Sequence, residues 1–291
     1  MEIELSEERV DLPEGFMETA PRVNMSRRGI ITGLAAGTVF PIVSSCSTNP
    51  ETGRQQLAFM GEQQIAGMAA SAWTELKSQT PQTSDTRLKN RVLGIWDRIQ
   101  DGATQTSASG RAWNREQWDV AVFDQDTVNA FVMPGNKVGV FRGITELAEN
   151  DDQLASVMGH ELGHVAGRHA SERPSVQLVG QAAFVGTQIA VANSESLRRY
   201  GNEISAIAGL GLQFGVLLPY SRSHELESDK LGVDYMHAAG YKVAEAPRLW
   251  ELMAKQSEGQ RPPEFMSTHP DPVRRAQVLR DYINAKGYDL V

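Results

Sequence analysis

Apolar residues recur at three-to-four spacing over about 61–78 and again over about 87–100, which predicts two amphipathic helices. Serine, threonine and glycine crowd residues 102–110 and break that pattern. From Trp118 the period changes to strand-like runs at 118–123, 130–133 and 138–141. The last two are joined by Pro134-Gly135-Asn136, a hairpin signal. Beyond Asp151 the helical spacing returns, interrupted only by connecting loops. A small antiparallel sheet among helices is the expected architecture, an α+β fold. The stretch 204–218 is apolar and glycine-rich but too short to span a bilayer, so it reads as a buried or substrate-facing helix.

Composition narrows the function classes. The chain has 291 residues, 41% hydrophobic and 22% charged, values of an ordinary globular protein. Its net charge is -8 and no basic run could track a phosphate backbone, so nucleic acid is not an expected partner. The single cysteine, Cys46, excludes an internal disulfide framework and any cysteine-rich metal site.

Cys46 also organises the N-terminus. Residues 1–24 carry seven acids against Arg9 and Arg22, the wrong sign for an export signal. From Met25 the pattern becomes a basic head, a short apolar run and small residues ahead of the cysteine, a signal-peptide layout. Val43-Ser44-Ser45-Cys46 resembles a bacterial lipobox, and Ser26-Arg27-Arg28 resembles a twin-arginine export motif. The expectation is that residues 1–45 are an N-terminal extension plus lipoprotein-type signal peptide, with Met25 the true start. Cys46 would then be lipidated and anchor residues 46–291 to a membrane of the bacterial envelope, facing the periplasm. Ser47 is compatible with outer-membrane sorting.

The 6 histidines carry the candidate chemistry, and all lie between 160 and 269. His160-Glu161-Leu162-Gly163-His164 fits H-E-x-x-H, which sets two imidazoles one helical turn apart, able to grip one zinc ion at about 2.0–2.1 Å. At 100° per residue from Leu154, the apolar side chains cluster on one face while His160 and His164 fall at about 240° and 280°. Gly159, Gly163 and Gly167 form a separate strip near about 180°–220°. Interior glycines cost a helix about 1 kcal/mol each, so another backbone packed against the strip is expected. Catalytic zinc usually takes three protein ligands. With no usable thiol the third must be His, Asp or Glu. The best region is 221–229, where Glu225 and Asp229 share a helix face: one carboxylate for the metal and one behind it. His169 leaves the ligand face and reads as structural or surface, and neither His224 nor His237 is an expected ligand.

His160–His164 and the later Ser221-Arg222-Ser223-His224-Glu225-Leu226-Glu227-Ser228-Asp229 together resemble the paired motifs of the HtpX-like and CAAX-prenyl-protease-like zinc metallopeptidases. Asn129-Ala130-Phe131 with Pro134-Gly135 is similar to that family's edge-strand motif. Asn150-Asp151-Asp152-Gln153 resembles its lead-in to the zinc helix, and His269-Pro270 with Arg275 its C-terminal motif. Residues 49–54 resemble the opening of a periplasmic lipoprotein branch.

The resemblance implies a mainly helical zincin-type metalloprotease fold with the sheet beside the zinc helix. It implies one Zn2+ on His160, His164 and Glu225, Glu161 as general base and Asp229 behind the ligands. Asn129, Ala130 and Phe131 would bind substrate backbone. His269 and Arg275 would contact the oxyanion, or His269 would occupy the open zinc position at rest. Few residues follow the Arg275 helix, so the tetratricopeptide extension of some members is not expected. The implied activity is zinc-dependent endopeptidase action on unfolded or misfolded envelope proteins. The competing expectation is a zinc-bound, non-proteolytic assembly factor or chaperone with a plugged site.

Overall fold

In the computed structural model, residues 46–58, 61–193, 202, 218–257 and 262–289 are described. The N-terminal 1–45 and nearly all of 204–218 therefore lie outside them.

A short antiparallel hairpin, β1 (Cys46–Thr48) and β2 (Gln55–Leu57), comes first. Helices α1 (Glu62–Gln79) and α2 (Thr86–Thr106) follow. Asp85 caps α2 by accepting from the Arg87 and Leu88 amides. This helix runs past the residues expected to break it. Thr104 and Thr106 return their hydroxyl hydrogens to the carbonyls of Gln100 and Gly102, and Gly102 lies against the Tyr235 carbonyl, where a Cβ would collide.

The second sheet contains β3 (Asp119–Phe123), β4 (Ala130–Met133) and β5 (Lys137–Phe141) in the order β3-β5-β4. β4 and β5 are the expected antiparallel hairpin, turned by Gly135 and Asn136 at φ of 80° and 59°. β3 pairs parallel to β5, so this sheet is mixed. Among the described residues β4 has a free edge, while the outer side of β3 meets Gln82 in an isolated bridge.

The rest is helical: α3 (Arg142–Leu147), α4 (Asp151–Ala166), α5 (His169–Asn193), α6 (Leu218–Ala238), α7 (Glu245–Ser257), α8 (Glu264–Thr268) and α9 (Pro272–Lys286). Asn150 caps α4 by accepting from the Gln153 amide at 2.9 Å, with Asp151 and Asp152 complementing the helix dipole.

α4 runs through the core, with Leu154, Met158 and Leu162 fully buried. Its glycine strip meets α6. A Cβ on Gly163 would lie 2.7 Å from the Ser228 carbonyl oxygen, and one on Gly159 2.9 Å from that of Gly232. The two backbones touch, as the strip implies, and this contact carries Glu225 and Asp229 to the histidines of α4. Among the described residues no helix is long and apolar enough to cross a membrane.

Candidate metal centre and cleft

Four side chains from three separate segments converge. His160, His164, Glu225 and His269 each offer a donor atom, all within 4.8 Å of one another. His160 Nε2 lies 3.0 Å from His164 Nε2, 3.1 Å from His269 Nδ1 and 3.3 Å from Glu225 Oε2. Glu225 Oε1 is 3.5 Å from His164 Nε2, and Glu225 Oε2 is 2.7 Å from His269 Nδ1.

These separations fit zinc. Two donors on one tetrahedral zinc ion at about 2.0–2.1 Å stand about 3.3 Å apart. The chemistry of the set agrees. His160 Nδ1 faces Asp229 Oδ1 at 2.9 Å and His164 Nδ1 faces His169 Nδ1 at 2.8 Å, so in the neutral rings that a metal requires the protons go to the Nδ1 side. The two Nε2 lone pairs then face each other, which a shared cation stabilises and neutral rings alone do not. Without a cation, burial and Arg275 oppose charge on His160, but Asp229 and Glu225 outweigh them and raise it above its ordinary value.

The electrostatics fit the same occupant. Burial opposes charge on Glu225, but His160, His164 and His269 outweigh it and hold the carboxyl far below the usual carboxylate range. Burial pushes His164 well below its ordinary value and His269 down to about 4, leaving both neutral and able to ligate.

Glu161 projects beside the donors. Burial, with help from Glu225, raises its carboxyl to about 7 against the opposing charge of His160. Its Oε2 accepts from the Val132 amide of β4 at 3.1 Å. Its Oε1 is buried without a hydrogen bond among the described residues, 3.3 Å from His269 Nε2.

The cleft in front of these groups has a volume of about 410 Å³ and is lined by Asn129, Phe131, Val132, Glu161, His164 and His269, among others. The Phe141 amide donates to the Asn129 carbonyl, so alternation along the hairpin leaves the N–H and C=O groups of Ala130 and Val132 facing the free edge. Ala130 contributes only backbone there, because its methyl is in the core. Asn129 is buried and its Oδ1 has no partner among the described residues.

Asp229 sits behind His160. Arg275, expected beside a developing oxyanion, is 1% exposed and does not line the cleft; its Nη2 stands 2.9 Å from His160 Nδ1. Its Nε donates to Asp229 Oδ2 at 2.7 Å, its Nη1 is 3.4 Å from Glu225 Oε2, and its guanidinium covers the Trp250 ring.

Two contributors were not evident from sequence. Arg173 Nη2 donates to Glu225 Oε1 at 2.8 Å from the cleft wall. His169 backs His164 although helical extrapolation turned it away. The reason is local: α4 ends at Ala166 and Arg168 has φ of 54°, so the 100° rule no longer applies at 169. His224 stacks on His169 with centroids 3.9 Å apart, and His237 stacks on Tyr288; neither is among the four converging donors.

A family model described as Peptidase family M48 matches residues 97–283. The mitochondrial metalloendopeptidase OMA1 of Schizosaccharomyces pombe is 34% identical over 170 residues, covering 57% of this chain and 47% of that protein. Metalloendopeptidase OMA1 of Bos taurus is 29% identical over 248 residues, 79% and 45% of the two chains. The beta-barrel assembly-enhancing protease of Escherichia coli is 24% identical over 264 residues, 88% and 51% of the two chains. The chain spans about half the length of these curated relatives.

Proposed function

This chain belongs to peptidase family M48, a family of zinc metallopeptidases, and from that premise we propose that it is an endopeptidase hydrolysing peptide bonds in unfolded or extended polypeptides. The observation that carries the reading is the placement of Glu161: a buried carboxylate with one free oxygen, between a zinc-competent donor set and the free edge of β4.

His160, His164 and Glu225 would hold the zinc, which when bound polarises a carbonyl and lowers the pKa of water from 15.7 towards neutrality. An extended substrate pairs along β4 through the outward N–H and C=O of Ala130 and the C=O of Val132, a mode that selects unfolded chain more than particular side chains. Asn129, at the start of that edge, offers its unpartnered amide oxygen to the substrate backbone. Phe131 forms the apolar wall of the cleft. Glu161 accepts the proton of the attacking water on Oε1 and returns it to the leaving amine. The Val132 amide holds Oε2, so Glu161 keeps one oxygen aimed at the reaction. Arg275 and Asp229 act on the ligands rather than on substrate, and Arg275 is a positioning residue in this reading.

His269 occupies the fourth direction of the donor set and stands against the free oxygen of Glu161. A closed set of four ligands has no position for water. We read this as the resting state of a protease, with His269 moving aside for substrate; the loop setting of His269-Pro270 between α8 and α9 suits that movement.

For location, the lipobox-like 43–46 supports lipidation of Cys46 and an envelope protein facing the periplasm, with the outer membrane favoured and misfolded envelope proteins as substrates. The fungal and bovine relatives above are both called mitochondrial, so location is tested separately from activity. The chain should partition into membranes, and Cys46→Ala should release it; membrane binding that survives the substitution would contradict the anchor. Activity is tested by hydrolysis of an unfolded polypeptide that disappears both on chelation and in Glu161→Gln.

A further inference from the structure

We propose that His169 positions His164, and that the β1–β2 hairpin holds His169 in place through Arg54. This rests on the reading that His164 is a zinc ligand.

His164 turns Nε2 towards His160 and Glu225, which leaves Nδ1 for a partner behind it. That partner is His169 Nδ1, at 2.8 Å. Two facing ring nitrogens can share only one proton. His164 needs its Nε2 lone pair for the metal, so it carries its proton on Nδ1 and donates to His169. His169 then carries its own proton on Nε2, where Glu227 Oε2 accepts it at 2.8 Å. The Ser228 hydroxyl lies 3.3 Å from the same His169 Nδ1. The result is a carboxylate–imidazole–imidazole relay ending on His164. On His160 the corresponding carboxylate, Asp229, acts directly.

The far end of the relay is fixed by the hairpin. Arg54 donates to Glu227 from Nε at 3.2 Å and from Nη2 at 3.1 Å, and to Glu172 from Nη1 and Nη2 at 2.7 and 2.6 Å. Gln56 donates to Glu172 at 2.9 Å and to the Gly167 carbonyl, while Asn49 donates to the Ala166 carbonyl at 2.9 Å. Those carbonyls are the ones a helix leaves without partners at its C-terminal end. One hairpin thus closes the zinc helix and fixes the anion that orients His169. Gly167 belongs to the same device, because a Cβ there would collide with the His169 ring.

A hydrogen bond behind a metal-bound histidine sets its tautomer and ring direction, and its loss typically weakens metal binding about 10- to 100-fold. The test is zinc affinity, not turnover. The full chain is stripped of metal and titrated with Zn2+ against a competing chelating dye. His169→Phe keeps an aromatic ring stacked on His224 but removes both nitrogens, and should weaken zinc binding about 10- to 100-fold. His169→Asn restores an acceptor for His164 and should recover part of the loss. Arg54→Met should weaken binding in the same direction by less. If His169→Phe does not fold, Glu227→Ala decides by the same criterion. A folded variant that binds zinc within twofold of the parent would overturn this proposal alone. A parent that binds no zinc would overturn the site and this proposal together.

Discussion

His160 and His164 are aimed by different partners, and the difference decides what could be read from the chain. The i,i+4 pair was legible because both ligands sit on one helix, where spacing alone sets direction. Glu225 and Asp229 were legible as a pair on one face, while their separate roles came from a family resemblance. His169 was hidden, because its role depends on a turn after α4 and on Glu227, 58 residues away in sequence. Arg275 was assigned by its motif to the reacting atoms, but its position could be known only once α9 had packed. At this scale the sharpest prediction concerns His269. Its donor atom completes the ligand set and its other nitrogen faces Glu161, so removing it opens the site. His269→Ala should raise peptide turnover while leaving zinc bound. Unchanged or lower turnover in a folded variant would contradict the resting-state reading.

At the scale of elements, the contact of α4 with α6 dominates. The glycine strip announced that contact because interior glycines cost a helix stability and need a compensating approach; Gly159 and Gly163 make it, while Gly167 follows the last residue of α4 and meets the His169 ring instead. On an exposed helix Gly→Ala would gain about 1 kcal/mol. At Gly163 the added Cβ would lie 2.7 Å from a backbone oxygen that cannot move alone, so overpacking wins. Gly163→Ala should lower stability by about 1–3 kcal/mol, measured by urea unfolding. A neutral or stabilised variant would contradict the close approach.

The parallel pairing of β3 with β5 was not legible, because alternation along a strand does not encode its partner's direction. The docking of α1 on β3 was equally silent. It depends on Asp119, whose Oδ2 accepts from Lys77 Nζ and Trp73 Nε1, each at 2.6 Å. Burial raises the Asp119 carboxyl, but Lys77 and Trp73 outweigh it and hold it below the ordinary 3.8. A depressed carboxyl stabilises the fold above its ordinary value, and that contribution is lost as pH falls through the folded one. Asp119 is half exposed, so the contribution is at most about 1 kcal/mol. Asp119→Asn should therefore melt lower than the parent at pH 7, and the gap should narrow below about pH 4. A gap independent of pH would contradict an ionic origin.

Across the whole molecule, the first hairpin of the described chain and the loop before its last helix meet at the zinc helix. The hairpin that begins at Cys46 closes its C-terminal end, and the loop before α9 supplies His269 to its ligand face. The fold class and the donor set of α4 could be read from sequence, because both follow from periodicity and local spacing. The closure could not, because Arg54, Glu172 and Glu227 look like ordinary surface charges until the fold brings them together. Lipidation at Cys46 would place the membrane only a few residues from this closure.

The central claim is that this arrangement hydrolyses peptide bonds, with Glu161 as its base. Its most direct test is the rate at which the zinc-loaded chain degrades an unfolded protein such as casein, compared with Glu161→Gln and with the parent after chelation. The account predicts measurable cleavage by the parent, a loss of about 10²- to 10⁴-fold in Glu161→Gln with zinc still bound, and none after chelation. Equal rates in all three samples would contradict it.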